Sequence, residues 1–281
     1  MSLFAASMQG LAPVTVGHHD CTLAIESVSK HFGGVYALRN VTFRCGIGEI
    51  VGLIGPNGAG KTTLMNVISG ISVPDSGSVS LFGTPLTGAT PTQCAIAGIG
   101  RTFQNIRLFN QLTVRQNIEV AHTTCEGHRT ERVELISIDT LLDEFDLRIY
   151  ADRMASELAY GYQRRLEIAR ALALGPEILL LDEPAAGMNH RESDVLIDTI
   201  RDVCDRYGCG IIVIDHDMRF IMRVCKRIVV LHLGEVIAEG TPQEIQRNPA
   251  VIEVYIGCRG EEGAVQAKGD GITKNSNGKE G

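Results

Sequence analysis

The chain has 281 residues, 44% of them apolar and 21% charged, which suits one large or two small globular domains. Its net charge of −7 weighs against a nucleic-acid binder, which presents a basic face. Its eight cysteines include no C-x-x-C pair, so zinc and redox motifs are unsupported and packed, reduced thiols are expected.

Residues 1–20 read as a flexible leader, without the basic start and sustained apolar run of a signal peptide. Thr22–Val28 and Val41–Phe43 read as strands. Glu49–Ile54 is a short apolar run stopping at Gly55, the pattern of a buried parallel strand. Helical spacing follows over Thr62–Ser69, then a strand over Ser78–Phe82.

From about residue 95 to 172 the pattern is mainly helical, with segments at Leu112–Ala121, Leu141–Phe145 and Leu158–Leu172. Strand signals return at Ile178–Leu181, Ile211–Ile214 and Ile228–Leu231, with helical stretches between, as in a parallel α/β sheet. Glu235–Ala238 reads as a closing strand. Thr241, Pro242 and Glu244 form a helix start with a capping hydroxyl. From 258 to 281 the chain is rich in Gly and charge and reads as a disordered tail. No stretch approaches the roughly 18 apolar residues of a membrane span, so any membrane role is expected through a partner.

Three motifs carry chemistry. Gly55-Pro56-Asn57-Gly58-Ala59-Gly60-Lys61-Thr62 matches G-x-x-x-x-G-K-[ST] between a strand and a helix. The glycines let backbone N–H groups curl around phosphate oxygens, and the helix adds its positive end. Lys61 is expected to reach the β- and γ-phosphates, and the Thr62 hydroxyl to ligate Mg²⁺. Ile178–Leu181 then ends in Asp182 and Glu183, a metal-binding carboxylate and a candidate general base for an attacking water. His216 follows the strand Ile211–Ile214, at the edge where parallel sheets bind ligands, and is a candidate γ-phosphate contact.

Together these pieces resemble the ATP-binding subunit of ABC transporters over about residues 21–257. The resemblance implies a P-loop α/β core with an antiparallel β subdomain and a helical subdomain inserted at about 95–172. It makes Gln104 the Q-loop glutamine, a metal contact beside Thr62 and Asp182, and His216 the switch histidine. It sets Phe32 against adenine and adds Thr63 to the ATP-binding loop. Residues Gly98–Phe109, Pro184–Asn189 and Asn248–Gly257 are similar to branched-chain amino acid importers, in particular their G-type ATPase subunit. Importers of urea and other polar solutes share much of this pattern, and a soluble, non-transport ABC ATPase stays open beside them. A GTPase is disfavoured, because the nearest guanine-type motif, Thr273-Lys274-Asn275, lacks its Asp.

The resemblance implies ATP and Mg²⁺ as ligands. It implies as partners a second ATPase subunit, two permeases and, indirectly, a solute-binding protein, at the cytoplasmic face of the membrane. In the family, each ATP lies between one subunit's phosphate loop and the other's signature, Leu-Ser-Gly-Gly-Gln. Here the signature reads Leu158-Ala159-Tyr160-Gly161-Tyr162. Ala159 removes a hydroxyl that would bond the γ-phosphate, worth about 1.5–3 kcal/mol. Tyr162 replaces Gln with a phenol. An asymmetric pair with one weakened site is one expectation, and neutral drift is the other.

Overall fold

Short apolar runs become the interior of one large sheet. The computed structural model describes residues 23–126 and 136–255, apart from the side chains of 125 and 126. The expected leader and tail, with Cys21, Thr22, Cys258 and Ile256-Gly257, lie outside the described residues.

β3 (Ile50–Ile54), β7 (Ile178–Asp182) and β8 (Gly210–Ile214) are buried at every residue. They join β9 (Arg227–His232), β10 (Glu235–Gly240) and β6 (Ile99–Arg101) in the order β10-β9-β3-β8-β7-β6. All neighbours are parallel except the β9–β10 pair. Both faces of these strands are covered, which is why they read as unbroken apolar runs.

The period of two sorts their side chains into two cores. Leu179, Leu181, Ile211 and Val213 face a cluster built largely of helices. Leu180, Ile212, Ile214, Val51 and Leu53 face the second cluster. That second core is closed by α1 (Lys61–Ile68) and by a four-stranded antiparallel sheet ordered β2-β1-β4-β5. Its strands are β1 (Leu23–Phe32), β2 (Val35–Cys45), β4 (Ser76–Leu81) and the short β5 (Thr84–Pro85).

The helical layer comprises α3 (Val114–Glu126), α4 (Ile138–Glu144) and α5 (Tyr160–Ala173). α6 (His190–Tyr207) and α7 (Met218–Val224) connect the later strands. α8 (Pro242–Arg247) starts at the expected capping box of Thr241 and Glu244. The same chemistry starts α2 (Pro91–Ala97), where Thr90 and Gln93 cap each other. Only its last residues fall within the stretch expected to be helical from about residue 95.

β6 lies within the stretch read as mainly helical. It is only three residues long, and its partner Ile178–Leu180 lies almost eighty residues away. No local periodicity reports such a pairing. Among the described residues, no helix is long and apolar enough to cross a membrane.

Candidate active site

Parallel strands deliver their C-terminal ends to one edge of the sheet. β3 ends at Gly55, β7 at Asp182 and Glu183, and β8 at Asp215 and His216. The three sequence motifs therefore meet along that edge.

The phosphate loop tolerates only glycine at two of its positions. Gly55 has φ +152°, and a Cβ there would lie 2.1 Å from the Leu231 carbonyl oxygen. Gly60 has φ +102°, and its Cβ would lie 2.4 Å from the Ala37 carbonyl oxygen. The loop is tied to the β9–β10 turn, where the Gly234 N–H donates to Ala59 O at 3.1 Å. Gly60 begins α1 without a side-chain cap, so no side chain competes with an anion for the N–H groups of the first turn. Thr62 is exposed and Thr63 half-buried in that turn.

Lys61 is 8% exposed. Its ammonium donates to Gly55 O at 2.7 Å and Pro56 O at 2.9 Å. Burial pushes its pKa down, while the Glu183 and Asp182 charges oppose that shift.

Asp182 is buried, and burial pushes its carboxyl above the usual range. Arg101, with Nη2 3.5 Å from Oδ2, opposes this, and the neighbouring Glu183 charge reinforces it. The Arg101 guanidinium also donates to Asn66 Oδ1 and Ser69 Oγ on α1 and its C-terminus. Arg101 thus links the metal-type carboxylate to the helix of the phosphate loop.

Glu183 sits between two partners. Gln104 Nε2 donates to its Oε2 at 3.1 Å, and His216 Nε2 lies 2.7 Å from its Oε1. Its backbone is left-handed, with φ +51°, a conformation that costs a non-glycine residue energy. Its N–H donates to Ile214 O, which anchors the turn to β8. Asp215 fixes the same turn from the other side. Its carboxylate accepts the Ala185 N–H at 3.0 Å and the Asp217 N–H at 2.9 Å. Burial pushes the Asp215 carboxyl up as well. A carboxylate with one positioned oxygen on each side suits water activation.

Phe32 stands at the end of β1, 58% exposed, with the Lys30 ammonium 5.4 Å from its ring centroid. It is not a core aromatic: it is exposed, with Lys30 over one face of its ring.

The signature residues lie elsewhere. Ala159 is the N-cap of α5 and provides no side-chain cap. Tyr160 lays its ring over Gly187, where a Cβ would be 3.0 Å from Tyr160 Cε1. Gly161 faces Glu192 of α6. Tyr162 packs on Tyr150, with ring centroids 4.7 Å apart, and carries the Arg165 guanidinium over its ring. The substituted phenol is therefore absorbed within the helical layer. Among the described residues, no hydrogen bond or ion pair joins Ala159, Tyr160 or Gly161 to the phosphate loop.

The model of the family described as ABC transporter matches residues 38–186. The chain belongs to the ABC transporter family. A second model, described as branched-chain amino acid ATP-binding cassette transporter, matches residues 235–257 of this cassette. The cassette is 42% identical over 248 residues to the high-affinity branched-chain amino acid transport ATP-binding protein LivG of Salmonella typhimurium, covering 84% of this chain and 97% of that protein. It is similar in structure to the ATP-binding cassette MJ1267 in its ADP conformation, with TM-score 0.75, 28% identity, and 85% and 100% of the two chains covered. The dimeric cassette MJ0796 is also similar, with TM-score 0.68, 26% identity, and 78% and 98% covered. The cassette is thus an ATP-binding, ATP-hydrolysing transporter subunit, and permease partners in the membrane follow from that membership.

Arg101, Thr102, Arg164, Glu167 and Asp215 join the site without a sequence motif that marks them. Thr102 is buried, and its Oγ1 accepts the Asp182 N–H at 3.2 Å. Each has a partner distant in sequence, thirty or more residues away, which no local pattern reports.

Proposed function

We propose that this cassette drives an importer of branched-chain amino acids by hydrolysing ATP to ADP and phosphate. The observation that carries the hydrolytic part is Glu183 held between Gln104 and His216, at the edge shared with the Lys61 loop. The solute assignment is supported by the match over residues 235–257 and by the likeness to LivG.

In this reading Phe32 stacks on adenine. The backbone N–H groups of the 55–63 loop, which Pro56 lacks, cradle the phosphates, and Lys61 exchanges its loop carbonyls for phosphate oxygens. Thr62, Asp182 and Gln104 would hold Mg²⁺, which would supply charge neutralisation to the phosphates. The buried Asp182 carboxylate and exposed Thr62 hydroxyl fit such a hard cation. Glu183 takes a proton from the water that attacks the γ-phosphorus, and the bond to the β-phosphate oxygen breaks. His216 and Gln104 keep the carboxylate aimed, and His216 contacts the γ-phosphate.

The signature lies off this site, which supports a head-to-tail pair in which Ala159, Tyr160 and Gly161 face a partner's ATP. The solved dimer of MJ0796 is a precedent for pairing. The partner in this reading is a different ATPase subunit with an intact signature. Permease segments dock in a cavity of about 600 Å³ lined by Phe103, Arg107, Leu108, Phe109 and Arg170. A solute-binding protein delivers the solute on the far side, and the cassette stays at the cytoplasmic face through its permeases.

Co-purification from the host followed by reconstitution tests this directly. Two permeases, a second ATPase and ATP-dependent uptake of labelled leucine are expected. Uptake of urea but not leucine would move the assignment to a polar-solute importer. A chain that hydrolyses ATP yet recovers no permease would overturn the transport reading.

A further inference from the structure

α5 carries a buried ion pair that the hydrolytic scheme does not use. Arg164 and Glu167 are 0% and 1% exposed in their side chains, with Nη1 2.7 Å from Oε2. A buried pair gains little stability over an apolar pair of the same size, so its contacts point to another use.

Those contacts converge on one segment. Arg164 Nη1 donates to Phe103 O at 2.7 Å, and Nη2 donates to Gln104 O at 2.8 Å. Glu167 Oε1 accepts the Phe103 N–H at 3.4 Å and the Arg107 N–H at 3.1 Å. Arg170 donates to Arg107 O. Among the described residues, every hydrogen bond of the 103–107 backbone ends on one of these three α5 side chains. The segment has no helix or strand of its own. Its conformation is therefore written by α5.

Gln104 is the residue so held, and its side chain reaches Glu183. At the other end, Arg164 Nη2 donates to the Tyr160 hydroxyl at 3.2 Å, and the Tyr160 ring covers Gly187. One guanidinium thus touches the signature residue Tyr160 and the backbone of Gln104. A shift of α5 on contact with a partner's ATP would carry Gln104 with it.

We propose that Arg164 and Glu167 are positioning residues that set Gln104 against Glu183 and tie the hydrolytic carboxylate to the position of the signature helix. This rests on the ATPase reading above and adds the device that couples its parts. A guanidinium is needed at 164 because its planar fork spans two carbonyls and a carboxylate, which a lysine ammonium cannot match.

The test compares the full-length chain with Arg164→Lys and with the pair Arg164→Met/Glu167→Leu. The pair removes both members of the buried ion pair together, so neither is left facing the other's empty place, and it keeps the fold accessible if the single change does not. ATPase kcat and KM, and affinity for a fluorescent ATP analogue, are measured for each. The expected result is a fall in kcat of at least tenfold, with KM and affinity within twofold. Added to Gln104→Ala, the same changes should lower kcat by no more than a further twofold, because the effects share one route. A folded variant with kcat within twofold of the parent overturns the proposal. So do losses that multiply with Gln104→Ala. A parent chain that binds no ATP analogue and hydrolyses no ATP sinks the ATPase reading itself, a result distinct from an active parent with unaffected variants.

Discussion

His216 Nε2 lies 2.7 Å from Glu183 Oε1, bridging the ends of two adjacent parallel strands. The other oxygen of the same carboxylate is taken by Gln104. Glu183→Gln should lower kcat by about 10²–10⁴-fold, the range for loss of a general base. His216→Ala should lower kcat less, because Gln104 and the Ile214 carbonyl still hold Glu183. Both variants should keep ATP affinity within a few-fold. Steady-state ATPase with parallel nucleotide titration checks this, and equal losses from the two changes would deny Glu183 its separate role.

Lys61 illustrates a group placed for function against stability. Its pKa is lowered in the fold, so the charged form is less favourable there than in the unfolded chain. The unfolded chain therefore binds more protons between the lowered value and about 10.4. Stability linked to Lys61 rises with pH through that window, and the cost is complete at neutral pH. Lys61→Met should leave the thermal midpoint at pH 7 unchanged or higher, while ATP affinity falls at least tenfold. A lower midpoint with intact affinity would reverse both assignments.

Ala159 leaves α5 without a side-chain cap. Ala159→Ser should supply an acceptor for the first-turn N–H groups and stabilise the chain by about 0.5–2 kcal/mol. Thermal or urea unfolding reads that gain in the isolated chain. In the reconstituted pair, Ala159→Ser with Tyr162→Gln should raise ATPase by strengthening the site on the partner's phosphate loop. An unchanged rate and unchanged ATP occupancy would favour neutral drift at the signature.

Five thiols, Cys45, Cys94, Cys204, Cys209 and Cys225, are buried. Burial pushes Cys204 up to about 11 and Cys209 up to about 12. Thiolate is the reactive form, so these groups should resist a disulfide reagent at pH 8. At most three of the eight cysteines should react quickly in the native chain, and all eight after denaturation in guanidinium. Four or more fast native thiols would contradict the packing of the cores.

The phosphate loop, Asp182, Glu183 and His216 were legible because their chemistry is local. A glycine loop needs its glycines adjacent, and a carboxylate at a strand tip follows its apolar run directly. The two buried cores were foreshadowed by the same apolar runs. Tertiary structure decided what those runs could not express. β6 exists because residues 178–180 offer it hydrogen bonds, not because Ile99-Gly100-Arg101 has a strand period. Tyr162, where the signature pattern has Gln, packs on Tyr150. The hold of Arg164 and Glu167 on 103–107 spans about sixty residues of chain. Local pattern records propensity and period, whereas these contacts depend on which distant backbone groups the fold leaves needing partners.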